Sequence, residues 1–191
     1  MTDELMPTPK PALDRLAKTA KRSSLQDLVQ AQTRRSLLLL DCSGSMSALL
    51  RTGQRRIDAL RDVAHELRQT HPVPLVIFCG RDHAYLDEVI PEPNGLTPLA
   101  HAIHFARVNH ANHCVVITDG CPDSEHKALD AARQFGHPID VFYVGDGNDR
   151  GAAFAQQLAA ATGGQANVAD LAQVKQLTGK IAGLLGDGGV Q

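Results

Sequence analysis

Five side chains that carry oxygen lie beside segments with the composition of strands or helices. Asp41, Ser43 and Ser45 come directly after the apolar run LLLL. Thr97 precedes the helical pattern PLAHAIHFARVN, and Asp119 follows the run CVVIT. Carboxylate and hydroxyl oxygens are hard ligands, which suit Mg²⁺, Mn²⁺ or Ca²⁺ rather than zinc. Because two carboxylates can balance a divalent ion and three hydroxyls can fill much of its coordination shell, these residues are candidate metal ligands.

The elements that would position these residues alternate along the chain. The unbroken apolar runs RSLLLLD, PLVIFCG, HCVVITDG and IDVFYVG are typical of strands buried on both faces of a parallel sheet. Helical spacing fills most of the intervals between them. The run AYLDEVI follows its neighbour too closely for a crossover helix, which indicates an antiparallel edge strand, and ANVAD is a last short strand. The sequence predicts an α/β fold: a doubly wound, mostly parallel six-stranded sheet with one short antiparallel edge strand and helices on both faces.

The candidate ligands fall where this fold places binding sites. Ligands of open α/β sheets bind at the carboxyl ends of the strands, and the three segments that carry the five residues all follow or adjoin such ends. Each segment also has an ordinary explanation, since serine and threonine cap helices and TDG is a common turn. Their occurrence together at one sheet edge favours a metal site over three separate structural roles.

The chain divides into three parts. Residues 1–34 are predicted to form an N-terminal arm, partly flexible with a short helix, because prolines precede a stretch of helical spacing. Residues 35–185 are the α/β domain and residues 186–191 a flexible tail. The net charge of -2 and a hydrophobic content of 43% are ordinary for a soluble domain and predict no nucleic-acid or membrane partner. The acids and prolines at the start do not resemble a signal peptide, so we expect a cytoplasmic location.

A group of arginines follows the serine loop: Arg51, Arg55, Arg56 and Arg61. These residues could form a basic rim that steers an acidic partner towards the metal. A solvated helix face is the commoner explanation of such a run of charges. Both interpretations stay open at the level of the sequence.

Two cysteines adjoin the predicted site. Cys42 follows Asp41, and Cys121 lies two positions after Asp119. If the two strands are neighbours, the thiols could lie close together as a redox-sensitive pair. Buried cysteines more often only fill apolar space, which is the favoured explanation, and the redox-sensitive pair is the alternative.

The three segments resemble the signatures of one known family, the von Willebrand factor A domains, which include the integrin I domains. DCSGS at 41–45 resembles the DxSxS signature, LTPL at 96–99 the threonine loop, and VVITDGCPD at 115–123 the TDG loop. Their order and separations match as well, and the resemblance covers roughly residues 35–185. It implies a Rossmann-like fold and a metal-ion-dependent adhesion site.

The resemblance also implies roles for the five residues. Ser43 and Ser45 would bind the ion directly, and Thr97 directly or through water. Asp41 and Asp119 would bind the ion directly or lie just behind its direct ligands, often acting through water. A Glu or Asp of a partner protein would fill the position left open, with Mg²⁺ as the expected ion and Mn²⁺ or Ca²⁺ as alternatives.

The function implied is protein–protein interaction rather than catalysis. The chain resembles stand-alone cytoplasmic bacterial members that act as adaptors for MoxR-type or chelatase-type AAA+ ATPases, or in stress-response complexes. One alternative is a metal-dependent phosphoesterase or related hydrolase, which would need a placed base and a Lys or Arg clamp. Another is a structural partner subunit in which the metal only stabilises the fold.

Overall fold

The computed structural model of the chain describes residues 35–71, 73–80, 83–86, 89–145 and 147–186. The predicted arm at 1–34 and the residues after 186 lie outside the described ranges, so the predictions made for them stay predictions. Gly186, which the sequence places in the tail, is the last residue of the final described helix.

The described strands form one twisted layer in the order β3-β2-β1-β4-β5-β6. Their bounds are β1 Ser36–Asp41, β2 Leu75–Cys79, β3 His83–Leu86, β4 His113–Thr118, β5 Ile139–Tyr143 and β6 Ala166–Val168. β3 pairs antiparallel with β2, and the other pairings are parallel. The chain runs outward from β1 to β3 on one side and from β4 to β6 on the other. The doubly wound α/β class predicted from the sequence is confirmed, and its switch point lies between β1 and β4.

Helices cover both faces of the sheet. Their bounds are α1 Arg56–Thr70, α2 Leu99–Val108, α3 Glu125–Phe135, α4 Arg150–Thr162 and α5 Val174–Gly186. α1 and α5 share one apolar core with the sheet, and α2, α3 and α4 share the other. A short 3₁₀ helix, Gly44–Ser47, follows β1.

The central strand β1 shows why its sequence is an unbroken apolar run. Leu37 and Leu39 belong to the core under α2 to α4, whereas Leu38 and Leu40 belong to the core under α1 and α5. Successive side chains of a strand point to opposite faces, so a strand covered on both faces has no position for a polar residue. The run therefore ends on Asp41 where the strand reaches the sheet edge.

Helix ends use local capping, but not always where the sequence suggests. Ser124 caps α3 by accepting from the N–H of Lys127, and Asp149 caps α4 by accepting from that of Ala152. At α2 the cap position is Pro98, and the helix begins at Leu99. Thr97 thus lies one residue before the cap position, so the helix-cap explanation of this threonine is wrong.

Candidate metal centre

Asp41 is the last residue of β1 and is fully buried. Its Oδ1 accepts a hydrogen bond of 2.8 Å from the N–H of Ser43, and its Oδ2 accepts one of 2.6 Å from the hydroxyl of Thr118. The first bond fixes the turn into the serine loop, and the second ties the end of β1 to the end of β4. Thr118 was missed by the sequence analysis. Its signal was the position directly before Asp119, at the end of a strand predicted to adjoin β1.

The two serine hydroxyls and Asp119 form a connected row of oxygens. Ser43 Oγ and Ser45 Oγ lie 3.1 Å apart, and Ser45 Oγ donates to Asp119 Oδ1 at 2.6 Å. Ser43 is buried, whereas Ser45 is exposed at the surface. The structure thus brings together Asp41, Ser43, Ser45 and Asp119, as the sequence predicts.

Thr97 lies in the threonine loop, taken here as residues 92–98 before α2, which completes the same edge. The carbonyl of Gly95 accepts from the N–H of Gly44 at 3.1 Å, which joins this loop to the serine loop. Thr97 N–H donates to Asp123 Oδ1 at 2.6 Å, and Asp123 N–H donates to the carbonyl of Thr97 at 3.1 Å. Thr97 is only 8% exposed. Asp123, a residue of the VVITDGCPD segment to which the sequence analysis gave no role, therefore holds the threonine loop against the loop after β4.

Two glycines let the threonine loop approach the sheet. Gly95 has a φ of 62°, and a Cβ built on it would lie 2.6 Å from the Cα of Gly80. Gly80 N–H donates to the carbonyl of Asn94, and Leu96 N–H donates to the carbonyl of Gly80. Any side chain at position 95 would push the loop away from the end of β2.

The site concentrates negative charge in buried surroundings. Burial and the neighbouring charge of Asp119 raise the pKa of Asp41 to about 6, against the hydrogen bonds from Ser43 and Thr118, which lower it. When burial and a like charge disfavour the ionised form of a carboxyl group, a nearby cation stabilises that ionised form. The charge and the burial are thus arranged as a cation site requires.

One cation of the chain itself already contacts this charge. Arg56 Nη1 lies 2.5 Å from Asp119 Oδ2, and the Asp119 side chain has no exposed surface. Arg56 begins α1, directly after the loop that follows the serines. The sequence analysis placed Arg56 in a basic rim but did not predict that it pairs with Asp119.

The other arginines of the predicted rim have different surroundings. Arg55 and Arg61 both pair with Asp58 and Glu92, so their charges are largely balanced. Arg51 is exposed and forms no ion pair with the residues that the structure describes. Among the described rim residues, Arg51 is therefore the arginine whose charge is not balanced by an ion pair. The charge of Arg56 is balanced by Asp119.

A cleft of about 580 Å³ opens beside the site. Its lining includes Leu49, Arg51 and Arg56 on one side and Val168 and Leu171 on the other. Leu49 and Val168 are both more than half exposed. Arg56, which pairs with Asp119, is the residue through which the cleft adjoins the site.

The structure does not bring Cys42 and Cys121 together as a pair. Cys42 belongs to the apolar core under α1, where burial, the charge of Asp41 and the thiol of Cys79 raise its pKa. Cys121 lies partly exposed in the loop after β4, near Glu125. The redox-pair hypothesis fails because the side chain of Cys42 turns into the core rather than along the sheet edge.

The donor set fits a hard divalent ion. In the described ranges, no three His, Cys, Asp or Glu side chains come together as metal ligands. The site instead offers two carboxylates and a set of hydroxyls, all oxygen donors, at spacings of 2.6 to 3.1 Å along its connected row. Oxygen-only donors suit Mg²⁺, Mn²⁺ or Ca²⁺ better than zinc. Ser43, Ser45 and Thr97 are the hydroxyls, and Asp41 and Asp119 the carboxylates, that could hold such an ion.

The fold is that of the von Willebrand factor A domains. A von Willebrand factor type A protein from Catenulispora acidiphila superposes with a TM-score of 0.58 at 17% identity, covering 80% of this chain and 43% of that one. BatB from Bacteroides thetaiotaomicron superposes with a TM-score of 0.55 at 17% identity, covering 78% of this chain and 97% of that one. A third neighbour is proximal thread matrix protein 1 of the mussel byssus, whose adhesion-site motif holds zinc (TM-score 0.50, 16% identity, 78% and 44% covered).

Sequence comparison adds nothing to this assignment. No protein-family model matches the chain, and no curated protein matches it. None of the helices in the described ranges has the length and apolar character needed to cross a membrane.

Proposed function

We propose that the protein binds other proteins through a divalent ion, Mg²⁺ in the first instance, held at the carboxyl edge of β1 and β4. When bound, the ion supplies a positive centre that accepts a Glu or Asp of the partner. Ser43, Ser45 and Thr97 are the hydroxyl ligands, with Asp41 and Asp119 behind or beside them. The observation that carries the proposal is the row from Ser43 Oγ through Ser45 Oγ to Asp119 Oδ1, set next to buried Asp41.

The charges at the site support an acidic partner. Both oxygens of Asp41 already accept hydrogen bonds from the chain, and Asp119 is shared with Arg56. The hydroxyls add no charge. An ion held in this way stays incompletely neutralised, and a carboxylate from outside is the ligand that best completes it.

The proposals for the partner and for the cellular location rest on the family resemblance alone. We propose a cytoplasmic adaptor whose partner is an AAA+ ATPase of the MoxR type or a stress-response complex. A carboxylate at the contact surface of that partner is the feature that this site would recognise.

Metal binding and partner binding can be tested with a matched pair of variants. The double variant Ser43→Ala/Ser45→Ala removes two proposed ligands, whereas Ser47→Ala removes a hydroxyl that donates to the carbonyl of Gly44 in the same 3₁₀ helix. We expect calorimetric titration with Mg²⁺ or Mn²⁺ to show binding to the wild type and to Ser47→Ala only. Affinity capture of partners should follow the same pattern and should be lost in chelator. Capture that is identical with Mg²⁺ and with chelator contradicts the proposal.

A second candidate function is metal-dependent phosphoester hydrolysis. Asp119 accepts a hydrogen bond from the Ser45 hydroxyl, and Arg56 lies next to it. In a hydrolase, Asp119 would act as the base and Arg56 as the clamp on the phosphate. Turnover of p-nitrophenyl phosphate with Mn²⁺, lost in Asp119→Asn, would favour this candidate. If metal is shown to bind but no turnover is observed, the binding function is favoured over hydrolysis.

A further inference from the structure

The contact between Arg56 and Asp119 places a positive side chain inside the site proposed for the divalent ion. Asp119 is the better shielded member of the pair, with no exposed side-chain surface against 25% for Arg56. Its Oδ2 accepts from Arg56, while its Oδ1 accepts from Ser45. A divalent ion that used Asp119 would therefore meet a carboxylate that a guanidinium already neutralises.

Within the part of the chain that the structure describes, Asp119 is the side chain to which the Arg56 guanidinium hydrogen-bonds. Arg56 Nε is buried and has no hydrogen-bond partner among the described residues. A buried donor without a partner costs free energy, so the contact to Asp119 is what keeps the head group in place. The backbone is anchored separately, since Arg56 N–H donates to the carbonyl of Ala48 at 2.9 Å. The head group can thus leave Asp119 without disturbing the start of α1.

The Arg56 guanidinium lies next to a cleft that could accommodate it. Arg56 lines the cleft of about 580 Å³ that opens beside the site. A rotation of its side chain into this cleft would move the positive charge off Asp119 and keep it at the surface that a partner would contact.

We propose that Arg56 is an internal competitor of the divalent ion for Asp119, which lowers the affinity for the ion and leaves the loaded site with an excess positive charge. The inference rests on the proposed function. Without Arg56, a divalent ion would be balanced by Asp41 and Asp119. With Arg56, the loaded site keeps one positive charge, which favours an acidic partner over a neutral one.

The test is the affinity for Mg²⁺ alone, without any partner. Arg56→Gln removes the competing charge, and we expect it to bind Mg²⁺ roughly tenfold more tightly than the wild type, as expected when one like charge a few ångströms away is removed from partly screened surroundings. Arg56→Lys keeps the charge and should stay close to the wild type. Arg51→Gln, which removes an exposed arginine of the same cleft, should change the affinity less than twofold by the weak effect of a screened surface charge.

Thermal unfolding provides a second readout. In chelator, Arg56→Gln should melt below the wild type because two buried carboxylates lose their counter-charge. In Mg²⁺ the difference should shrink or reverse, since the ion then supplies that charge.

The outcomes separate this inference from the proposed function. If the wild type and Arg56→Gln bind Mg²⁺ equally well, Arg56 only braces Asp119 and the inference is overturned, while the metal site survives. If neither binds Mg²⁺ or Mn²⁺, both proposals fail. If Arg56→Gln binds Mg²⁺ and the wild type does not, competition by Arg56 is supported, whereas the proposed function of the wild-type site fails.

Discussion

Thr118 contributes to the site without being a candidate ligand. Its hydroxyl donates to Asp41 Oδ2 at 2.6 Å, and both groups are buried. The strand register pairs Leu40 with Ile117, so the residues that follow them, Asp41 and Thr118, end their strands side by side. A positioning residue of this kind acts through the carboxylate that it holds.

Replacing this hydroxyl should weaken both the fold and the site. Thr118→Val keeps the shape of the side chain but leaves Asp41 Oδ2 without its donor, so the free energy of unfolding should fall by about 1–3 kcal/mol. The affinity for Mg²⁺ should also fall, because Asp41 loses the bond that fixes its orientation. Urea denaturation and calorimetric titration measure the two effects.

Thr178→Val is the control for this prediction. Thr178 is also buried, but its hydroxyl donates to the carbonyl of Val174, one turn earlier in α5. In an α-helix that carbonyl is also the acceptor for a backbone N–H, so it does not depend on the hydroxyl. We expect a loss below about 1 kcal/mol and unchanged metal binding. Equal effects of the two variants would mean that the hydroxyl of Thr118 has no specific role.

At the scale of elements, the threonine loop is held by backbone contacts. Its Gly95 lies against Gly80 at the end of β2, and its carbonyl accepts from Gly44 in the serine loop. The ion pairs of Arg55 and Arg61 with Glu92 fasten the start of the same loop to α1. The position of Thr97 therefore depends on contacts to three different elements.

Gly95→Ala should displace this loop. Its φ of 62° is strained for alanine, and its Cβ would overlap the Cα of Gly80 at 2.6 Å. Gly53→Ala is the matched control, because Gly53 has a φ of 84° but open space around a Cβ. We expect the control to lose about 1 kcal/mol of unfolding free energy from backbone strain alone, and Gly95→Ala to lose more. Only Gly95→Ala should bind Mg²⁺ more weakly. An equal loss of Mg²⁺ affinity in both variants would mean that the position of the threonine loop does not matter for metal binding.

The opposite edge of the sheet has its own polar cluster, at the starts of β1, β4 and β5. Asp140 accepts from the backbone of Gln165 at 2.7 Å and pairs with His113 Nε2 at 2.8 Å, while Ser36 contacts the other ring nitrogen. Burial raises the pKa of Asp140, but the bonds from His113 and Gln165 outweigh it and lower the pKa below its ordinary value.

This lowered pKa predicts acid sensitivity with a definite sign. The unfolded chain takes up the proton first, so the contribution of Asp140 is complete above the ordinary carboxyl value of about 4 and is lost as the pH falls through the lower folded value. Asp140→Asn should be less stable than the wild type at neutral pH and should lose less stability on acidification. Denaturation curves over roughly pH 6 to 3 measure this. Asp130→Asn, on the exposed face of α3, is the control. If the wild type and Asp140→Asn lose the same unfolding free energy as the pH falls, the prediction is contradicted.

At the scale of the whole molecule, metal binding should stabilise the fold. An ion that binds only the folded chain adds about 2.7 kcal/mol at a hundred times its Kd, which corresponds to a rise in Tm of roughly 5–10 °C for a domain of this size. The rise should be present in Ser47→Ala and absent in Ser43→Ala/Ser45→Ala. Differential scanning calorimetry with Mg²⁺ and with chelator checks this, and a Tm that is independent of Mg²⁺ in the wild type would contradict it.

The sequence predicted those features that local patterns specify. The run LLLL followed by Asp41 encodes a doubly covered strand and its end, and the order of the three loops located the candidate site. It did not predict the contacts of Thr118, Asp123 and Arg56. Each of these joins residues 26 to 77 positions apart, and their side chains meet only through the strand register and loop geometry.

Two sequence hypotheses failed for related reasons. Cys42 follows Asp41 directly, but alternation along the chain turns its side chain into the core instead of towards Cys121. Thr97 precedes a proline as helix caps often do, yet α2 begins two residues later. Short motifs indicated which residues lie at the edge, whereas the direction of each side chain depended on packing.

The hydrogen bond from Ser43 N–H to fully buried Asp41 has a consequence for how a partner would bind. The serine loop is ordered by the end of the central strand, and the threonine loop is ordered in turn by its contact with the serine loop. Little conformational entropy remains to be lost there on association. A partner would meet a preorganised surface, so its affinity would depend mainly on how well its carboxylate and flanking side chains fit, and the ordering cost would fall on the partner.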